Sequence, residues 1–306
     1  MRLIVGDVGG SNCRLATVQD QRIDNIWIQP TDVSGGLAQA IQAYTDLYGT
    51  DFDAGCVAVA GPVKNNAAVL TNVDWFGAGS DFPCPGRIVN DLEAAAFGVK
   101  SLSESDKIVL HEANETPGTK AVIGIGTGHG LAWLFDEKVF PTESGHAEFA
   151  PPSSELRELA ARFIEKNGRI RVEDVVSGMG IANLLDFAIE LYGGEGPPAG
   201  VPTGAYVLQH AGSDKACNAV LDWFALSAGS VIGDVITRSL ATQIWLCGGV
   251  AQKWASVFQR PSFRTGLYSK APMNHLVEQC QIVLSLHPQL GLLGAANIAQ
   301  AVCMRS

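Results

Sequence analysis

Residues 3–18 read LIVGDVGGSNCRLATV. An apolar run enters a glycine-rich turn at 7–12 and a second apolar run leaves it, which predicts strands at 3–8 and 13–18 joined as a hairpin. Because glycine has no Cβ, the amides of such a turn can approach phosphate oxygens closely. The carboxylate of Asp7 at the same turn can hold a magnesium ion through water. The stretch therefore predicts a site for the phosphates of a nucleotide.

Two other interpretations of this turn are a dinucleotide fingerprint and a plain hairpin. The fingerprint runs strand, Gly-x-Gly-x-x-Gly and then helix, whereas here a second strand follows the turn. The sequence also contains no Gly-x-x-x-x-Gly-Lys-Ser/Thr loop. Taken alone, the turn is equally compatible with a plain hairpin, because many hairpins carry Asp and Gly at the turn.

A second stretch of the same kind, residues 121–135, reads AVIGIGTGHGLAWLF. A third glycine turn occurs in IWLCGGV, residues 244–250, after an apolar run and before a helical stretch. Two hairpins that face each other can hold one polyphosphate, and Gly248 and Gly249 let the backbone lie flat against an adenine or a ribose. Together, the three turns favour nucleotide binding over three unrelated tight turns.

The composition limits the kinds of partner. The chain has 306 residues, 47% hydrophobic and 17% charged, as expected for two globular domains or one large domain. A net charge of −10 disfavours nucleic acid and anionic membrane surfaces, because both attract basic patches. We expect no membrane-spanning segment, since no apolar run is long enough. We also expect no signal peptide, since the N-terminus passes directly into a strand.

The seven cysteines are scattered along the chain, without Cys-x-x-Cys pairs or the Cys/His spacing of zinc sites. An odd and scattered set favours reduced thiols, several of them in the core. The expected location is therefore the cytoplasm.

The spacing of apolar residues predicts a mixed α/β protein. A polar stretch from 100 to 120, which ends in Pro117-Gly118, is expected to connect two domains. The predicted strands are 3–8, 13–18, 25–28, 55–60, 67–70, 87–89, 121–126, 131–135, 244–247 and 281–285. The predicted helices are 37–48, 153–167, 172–176, 178–192, about 200–212, 214–240, 251–258 and 291–302.

A candidate catalytic base is Asp91, within VNDLEAAAF (89–97), where a strand ends and a helix begins. The sequence places Asp91 at the helix N-cap, where the helix dipole and unpaired amides favour an ionised carboxylate. Such a carboxylate can accept the proton of an attacking hydroxyl during phosphoryl transfer. The competing interpretation is that Asp91 only caps the helix. The neighbouring Asn90 offers a donor and an acceptor to a sugar hydroxyl.

Further candidates are Glu143 and His146, in PTESGHAEFAP (141–151), and Glu173, at the start of a predicted helix. Acidic and histidine side chains often occur together by chance, and a lone histidine is more often structural than catalytic. These residues alone therefore leave both interpretations open.

Seven segments share the order and spacing of one family: 4–12, 89–97, 124–130, 143–151, 171–178, 244–250 and 291–296. Through them the whole chain resembles the bacterial glucokinase family. The resemblance implies a two-domain α/β fold, the actin/hexokinase-like (ribonuclease H-like) ATPase fold, with the active site in a cleft between the domains. It implies a small domain at 1–105, completed by about 287–306, and a large domain at 106–286 that is mostly helical after 150. The implied reaction is ATP-dependent phosphorylation of glucose at its 6-hydroxyl, the entry to glycolysis, by a homodimer.

The resemblance also implies roles for single residues. Asp91 is the implied general base, and Asp7 is expected near Mg²⁺, which it binds through water. The implied sugar ligands are Asn72, Asn90, Asp91, Glu143, His146 and Glu173. The implied ATP-binding residues are Gly6, Asp7, Val8, Gly9, Gly10, Ser11 and Asn12 in the first hairpin, Gly126, Thr127 and Gly128 in the second, and Gly248 and Gly249 at the adenosine turn.

The chain departs from the family pattern at three positions. Ser11 replaces the usual Thr but keeps its hydroxyl, Glu148 stands where Asp is common, and His129 stands where an apolar residue is usual. His129 can alter nucleotide packing or the choice of phosphoryl donor. Two alternatives remain open: a kinase for another hexose or hexosamine, and a non-catalytic sugar or nucleotide sensor of the same fold. A sensor has no need of a base at Asp91, which favours a kinase.

Overall fold

The computed structural model describes residues 1–20, 22–70, 74–114, 116–135 and 138–304. The chain divides into two compact units, Met1–Ser105 with His287–Ser306, and Asp106–Leu286. Asn72, a predicted sugar ligand, lies outside the described residues.

The strands and helices follow the chain in this order. The strands are β1 Arg2–Val8, β2 Asn12–Gln19, β3 Arg22–Pro30, β4 Ala54–Val59, β5 Val63–Lys64, β6 Ala67–Leu70, β7 Trp75–Ala78, β8 Gly86–Asn90, β9 Lys107–His111, β10 Lys120–Ile125, β11 His129–Phe135, β12 Lys138–Thr142, β13 Gln243–Cys247 and β14 Gln281–Ser285. The α-helices are α1 Leu37–Tyr48, α2 Asp91–Gly98, α3 Ser154–Asn167, α4 Gly178–Tyr192, α5 Thr203–His210, α6 Lys215–Ser239, α7 Gly249–Lys253, α8 Pro261–Leu267, α9 Asn274–Glu278 and α10 Leu290–Cys303.

The first unit is built on a five-stranded sheet with the order β3-β2-β1-β4-β8. β1 and β2 form the predicted antiparallel hairpin, in which Asp7 pairs with Arg14. β1, β4 and β8 run parallel, with Val8 opposite Val59 and Val59 opposite Asn90. The carboxyl ends of these three strands therefore meet at one edge of the sheet, which is where open α/β sheets bind ligands.

Helices cover both faces of this sheet. Successive residues of a strand point to opposite faces, and neighbouring residues of β1 accordingly pack against different helices. Ile4 of β1 belongs to a buried core with Leu37 and Tyr44 of α1. The next residue, Val5, belongs to a second core with Leu292 of α10. The C-terminal helix therefore completes the first unit.

The second unit repeats this strand arrangement. Its six-stranded sheet has the order β12-β11-β10-β13-β14-β9. β10 and β11 form the second predicted hairpin, with Ile125 opposite His129, and β10, β13 and β14 run parallel. The repeat that appears in the sequence as two hairpins thus extends to five strands of each sheet.

The core of the second unit contains α6. Its residues Val220, Phe224 and Ile236 are fully buried. By length and composition alone α6 is apolar enough to cross a membrane, but 78% of its most apolar window is buried inside the protein. The prediction that no apolar run is long enough is therefore wrong. The apolar surface of α6 runs around the helix because helices and strands of the same unit pack against it.

Several element limits differ from the sequence prediction. Residues 172–176 form only a short 3-10 turn, Val172–Asp174, and the helix predicted at 251–258 divides into α7 and a second 3-10 turn, Ala255–Gln259. The polar stretch 100–120 contains the unpredicted strand β9. This strand is partly exposed and pairs with β14 at the edge of the sheet, so it lacks a clear apolar alternation. The sequence pattern also does not predict β5, β7, β12, α8 or α9.

Candidate active site

The turn between β1 and β2 is fixed by hydrogen bonds and open at its glycines. Gly9 N donates to Asn12 O over 2.9 Å, and Thr31 N donates to Ser11 O over 3.2 Å. Thr31 Oγ1 also donates to Gly9 O over 2.7 Å. No atom of the described residues lies within 4 Å of the positions that a Cβ would take at Gly9 and Gly10. The backbone of the turn is thus held in place with room for a ligand beside it.

Asp7 lies one residue before the end of β1. Its side chain is 35% exposed, and its Oδ2 lies 3.7 Å from Arg14 Nη1. Burial of the enclosed part of the carboxyl raises the pKa of Asp7, and the Arg14 guanidinium opposes that rise. A Cβ at Gly291, in the first turn of α10, would lie 3.3 Å from Asp7 Cγ. Glycine at this position therefore leaves space for the carboxylate.

The donors at Asp7 fit a magnesium ion that is bound through water. Within the described residues, no group of three or more His, Cys, Asp or Glu side chains could hold a metal ion. Mg²⁺ usually keeps several waters and binds through one or two carboxylates together with substrate phosphates. A single, partly exposed carboxylate beside an open glycine turn suits that mode of binding.

Asn90, and not Asp91, is the N-cap of α2. Its Oδ1 accepts from Leu92 N over 3.0 Å, and its Nδ2 donates to Gly61 O over 3.1 Å. Asp91 is the first helical residue, and its Oδ1 lies 2.9 Å from Leu92 N. The prediction that Asp91 occupies the cap is wrong because β8 extends through Asn90, so the last residue with extended dihedrals is Asn90.

The turn between β10 and β11 packs against the N-terminus of α4. Gly126 N donates to Gly128 O over 3.0 Å, and Gly126 O accepts from Gly178 N over 2.8 Å. Thr127 O accepts from Met179 N over 3.3 Å. Thr127 is exposed, and in the part of the chain that the structure describes no atom comes within 4 Å of a Cβ placed on Gly126. Like the first turn, this one is held by its backbone and open at a glycine.

Two glycines follow β13, and the structure requires glycine at Gly248 for reasons that do not apply at Gly249. Gly248 has a φ of +99°, and a Cβ there would lie 2.5 Å from Ile125 O. Both the dihedral angle and the close approach to β10 therefore require glycine. Gly249 begins α7, and nothing among the described residues lies within 4 Å of its Cβ position. The third turn thus touches the end of the strand that carries the second turn.

Glu173 and His146 meet in the second unit. Glu173 is 8% exposed, and its Oε1 lies 3.4 Å from His146 Nδ1. Its Oε2 lies 3.2 Å from the position of a Cβ on Gly128, which puts the carboxylate beside the second turn. His146 N donates to Glu143 O over 3.0 Å, so Glu143 belongs to the same loop, where its side chain is exposed.

Sequence reasoning overlooks Arg171, which lies among these candidates. Arg171 Nη1 is 2.7 Å from Glu173 Oε1 and 3.2 Å from His146 Nδ1. Its Nη2 donates to Asp174 Oδ1 over 2.6 Å, and its Nε donates to Asp174 Oδ2 over 3.1 Å. The backbones of Arg171 and Glu148 also form an isolated antiparallel bridge. The sequence feature that could have indicated Arg171 is the group of three charged residues in Arg-Val-Glu-Asp, 171–174, which has apolar residues on both sides.

His129 joins two loops to β11. Its Nδ1 lies 3.1 Å from Val176 O, and because a carbonyl oxygen only accepts, Nδ1 carries the proton. Burial lowers the pKa of His129 to about 4, so the ring is neutral at neutral pH. Gly145 lies so close that a Cβ there would collide with the carbonyl oxygen of His129. The ring of His129 therefore links β11 to the segment before α4 through Val176 O.

A separate cavity of about 470 Å³ lies between α3 and α4. Its lining includes Asp174 but none of the predicted ligands of ATP or sugar. The cavity therefore adjoins the candidate site through Asp174 and is not itself that site.

The structure collects the predicted residues into two groups, one in each unit. In the first unit, the first turn and Asn90–Asp91 lie at the carboxyl ends of β1 and β8. In the second unit, the second and third turns follow β10 and β13, which also run parallel. Glu173 and His146 adjoin the second turn.

Comparison with known proteins gives consistent matches. The family model described as Glucokinase matches residues 4–302. A glucokinase of Chromohalobacter salexigens is 31% identical over 311 residues, which cover 96% of each chain. Among solved structures, the glucokinase of an Antarctic psychrotroph matches with a TM-score of 0.83 at 25% identity and covers 98% of this chain and 99% of that chain. A ROK family glucokinase from Streptomyces griseus, in complex with glucose and AMPPNP, matches with a TM-score of 0.70 at 20% identity, covering 98% of this chain and 100% of that one. The expected actin/hexokinase-like fold is confirmed.

Proposed function

The chain belongs to the Glucokinase family, and from this premise we propose that it transfers the γ-phosphoryl group of ATP to the 6-hydroxyl of D-glucose, at the entry to glycolysis. One observation carries the proposal: the carboxylate of Glu173 lies beside the second turn. Glu173 Oε2 lies 3.2 Å from the Cβ position of Gly128, so a sugar bound by Glu173 lies next to a turn suited to phosphates. This proximity supports a site in which the sugar and the phosphates of ATP are neighbours.

We assign the general base to Asp91. As the 6-hydroxyl oxygen bonds to the γ-phosphorus, Asp91 takes the hydroxyl proton, and the bond from the γ-phosphorus to its bridging oxygen breaks to release ADP. Asp91 is the first residue of α2. This position supports the role, because the N-terminal end of a helix favours a carboxylate over the protonated acid.

We propose that Asn90, Glu143, His146 and Glu173 bind the hydroxyls of the sugar, with Asn72 as a further contact. Carboxylates accept hydrogen bonds from hydroxyls, and asparagine and histidine supply donors as well. The exposed side chains of Glu143 and His146 are accessible to a ligand. Glu173 is held by its neighbours and therefore needs little reorganisation on binding.

We propose that the first and second turns bind the phosphates of ATP and that Gly248 and Gly249 face the adenosine. The open space at the glycines of both hairpins supports this role. Asp7 is the residue that would hold Mg²⁺, through water. When bound, Mg²⁺ neutralises charge on the phosphates.

We further propose that the enzyme is a cytoplasmic homodimer. All seven cysteines are free, and five of them are buried, which fits a reducing compartment. Phe135 and Phe140, on the edge hairpin of the second sheet, are 55% and 52% exposed, and a second copy would cover this apolar surface. Sedimentation of the purified protein measures the oligomeric state.

A coupled assay across a panel of sugars tests the reaction. With ATP and Mg²⁺, we expect ADP release and a higher kcat/KM for glucose than for mannose, fructose or N-acetylglucosamine. Omission of Mg²⁺ is expected to abolish turnover, and replacement of ATP by polyphosphate tests the donor. A higher kcat/KM for another hexose would reassign the substrate, and no ADP release with any hexose would exclude a kinase.

A further inference from the structure

Arg171 lies at the centre of a cluster with Glu173, Asp174 and His146. The side chains of Glu173 and Asp174 are 11% and 10% exposed, and the side chain of Arg171 is 32% exposed. Nε and Nη2 of Arg171 both donate to Asp174, while Nη1 contacts Glu173 and His146. Asp174 therefore fixes one edge of the planar guanidinium, and the remaining nitrogen meets two candidate sugar ligands.

The contact with Arg171 determines which ring nitrogen of His146 carries the proton. A guanidinium group has five N–H donors and no acceptor. The 3.2 Å contact between Arg171 Nη1 and His146 Nδ1 is therefore a hydrogen bond only when Nδ1 is unprotonated. A neutral ring then carries its proton on Nε2 and presents that nitrogen as a donor.

Arg171 also orients the carboxylate of Glu173. Oε1 lies 2.7 Å from Arg171 Nη1, whereas Oε2 lies on the side of Gly128. Ser177 Oγ donates to the backbone carbonyl of Glu173 over 2.5 Å, which holds the main chain at the same point. The result is one carboxylate oxygen engaged by Arg171 and a second oxygen directed to the phosphate turn.

We propose that Arg171 is a positioning residue for the sugar, which holds Glu173 as an acceptor and keeps His146 in the tautomer that donates from Nε2. The inference rests on the proposed roles of Glu173 and His146 as sugar ligands. An acceptor and a donor side by side match a pair of hydroxyl groups. Without Arg171, the carboxylate of Glu173 stands 3.4 Å from Nδ1 and favours a proton on that nitrogen, which changes what the ring presents to a ligand.

Steady-state kinetics of three variants tests the proposal. Arg171→Met removes the charge and keeps the bulk, and we expect the KM for glucose to rise roughly tenfold to a hundredfold, since charged hydrogen bonds are lost. The KM for ATP should stay the same. Arg171→Lys keeps the charge without the planar fork, so it should recover part of the glucose affinity. The matched control is Arg260→Met, because Arg260 is 28% exposed and binds both carboxylate oxygens of Asp222 in the same unit, and its KM values should match those of the wild type.

The tautomer of His146 can be measured directly, and it would not change if Arg171 only stabilised the fold. In ¹⁵N NMR spectra, assigned with a His146→Gln variant, we expect protonation at Nε2 in the wild type and a shift toward Nδ1 in Arg171→Met. An unchanged tautomer, an unchanged glucose KM in Arg171→Met, or full recovery in Arg171→Lys would each overturn the proposal. A wild-type protein that phosphorylates no hexose would refute the proposed function, while the tautomer in the two proteins would still decide the role of Arg171.

Discussion

Two adjacent residues at the start of α2 occupy different helix positions, Asn90 as the N-cap and Asp91 as the first helical residue. Asn90 accepts from Leu92 N and donates to Gly61 O, and its amide keeps a second acceptor site and a second N–H for a ligand. Asp91 lies one position later and is therefore not needed as the cap. Because the cap is already supplied, the carboxylate of Asp91 can be changed with little effect on the helix.

At the residue scale, this separation predicts the result of Asp91→Asn. Asparagine keeps the size and the contact with Leu92 N but cannot take up the hydroxyl proton. We expect kcat to fall about 10²- to 10⁴-fold, the usual contribution of a general base, while calorimetry shows nearly unchanged ATP binding. The matched control is Glu93→Gln in the same helical turn, where the carboxylate pairs with Arg87, and its kcat should stay close to that of the wild type. Near-normal turnover of Asp91→Asn would refute the assignment of the base.

The sequence indicates Glu143, His146 and Glu173 as candidates, and the structure shows that Glu173 and His146 lie together and that both contact Arg171. Arg171 contacts a histidine 25 positions earlier in the chain, and no local pattern reports such a distance. Its partner Asp174 is three residues away, which resembles an ordinary surface pair in the sequence. Local spacing therefore indicates the candidate ligands but not Arg171, the residue that we propose orients them.

Elements with strong end signals were the most predictable. The limits of α4 agree with the predicted 178–192, because Ser177 caps its first turn and Gly193, with a φ of +73°, ends it. Strands β9 and β12 lie at the two edges of their sheet, where one neighbour is missing and side chains are partly exposed. β9 pairs with the distant strand β14. β12 pairs with the preceding strand β11, but its residues are exposed or only partly buried, so the apolar pattern reveals neither strand.

At the element scale, the cap of α4 is predicted to couple stability to sugar binding. Ser177 Oγ accepts from Gly180 N over 3.0 Å and donates to Glu173 O. Ser177→Ala should therefore lower the free energy of unfolding by about 1 kcal/mol and raise the KM for glucose, because the backbone of Glu173 loses its anchor. Denaturant unfolding and steady-state kinetics measure the two effects.

Ser153→Ala provides the matched control for this prediction. Ser153 caps α3 in the same way, accepting from Leu156 N over 3.3 Å, whereas the hydroxyl that donates to Glu173 O belongs to Ser177. The variant should lose a similar amount of stability while the KM for glucose stays at the wild-type value. Equal KM values in Ser177→Ala and the wild type would contradict the coupling.

At the scale of the whole molecule, the chain builds a five-stranded sheet, then a six-stranded sheet that repeats this order over five strands, and finally adds α10 to the first unit. Residues 1–105 form the first sheet, and α10 supplies a layer of its core after the second unit is complete. The two sheets resemble each other because in each an antiparallel hairpin is followed by parallel strands in the same order. Stability of the first unit therefore depends on residues about 200 positions away, as in the contact between Asn297 and Phe97.

Because the first unit depends on α10, we expect that a charge placed in the buried face of α10 unfolds the first unit but not the second. Ile298 is 2% exposed and packs in the core of the first unit, so Ile298→Asp buries an unpaired carboxylate at a cost of about 4 kcal/mol or more. That is a large share of the stability of a typical domain, and the first unit should unfold while Asp106–Leu286 remains folded. Limited proteolysis with mass spectrometry should then show cleavage within 1–105 and protection of the second unit.

The matched control is Gln300→Asp, at an exposed position of the same helix, which should leave both units resistant to proteolysis. Joint loss of both units in Ile298→Asp would show that they do not fold independently.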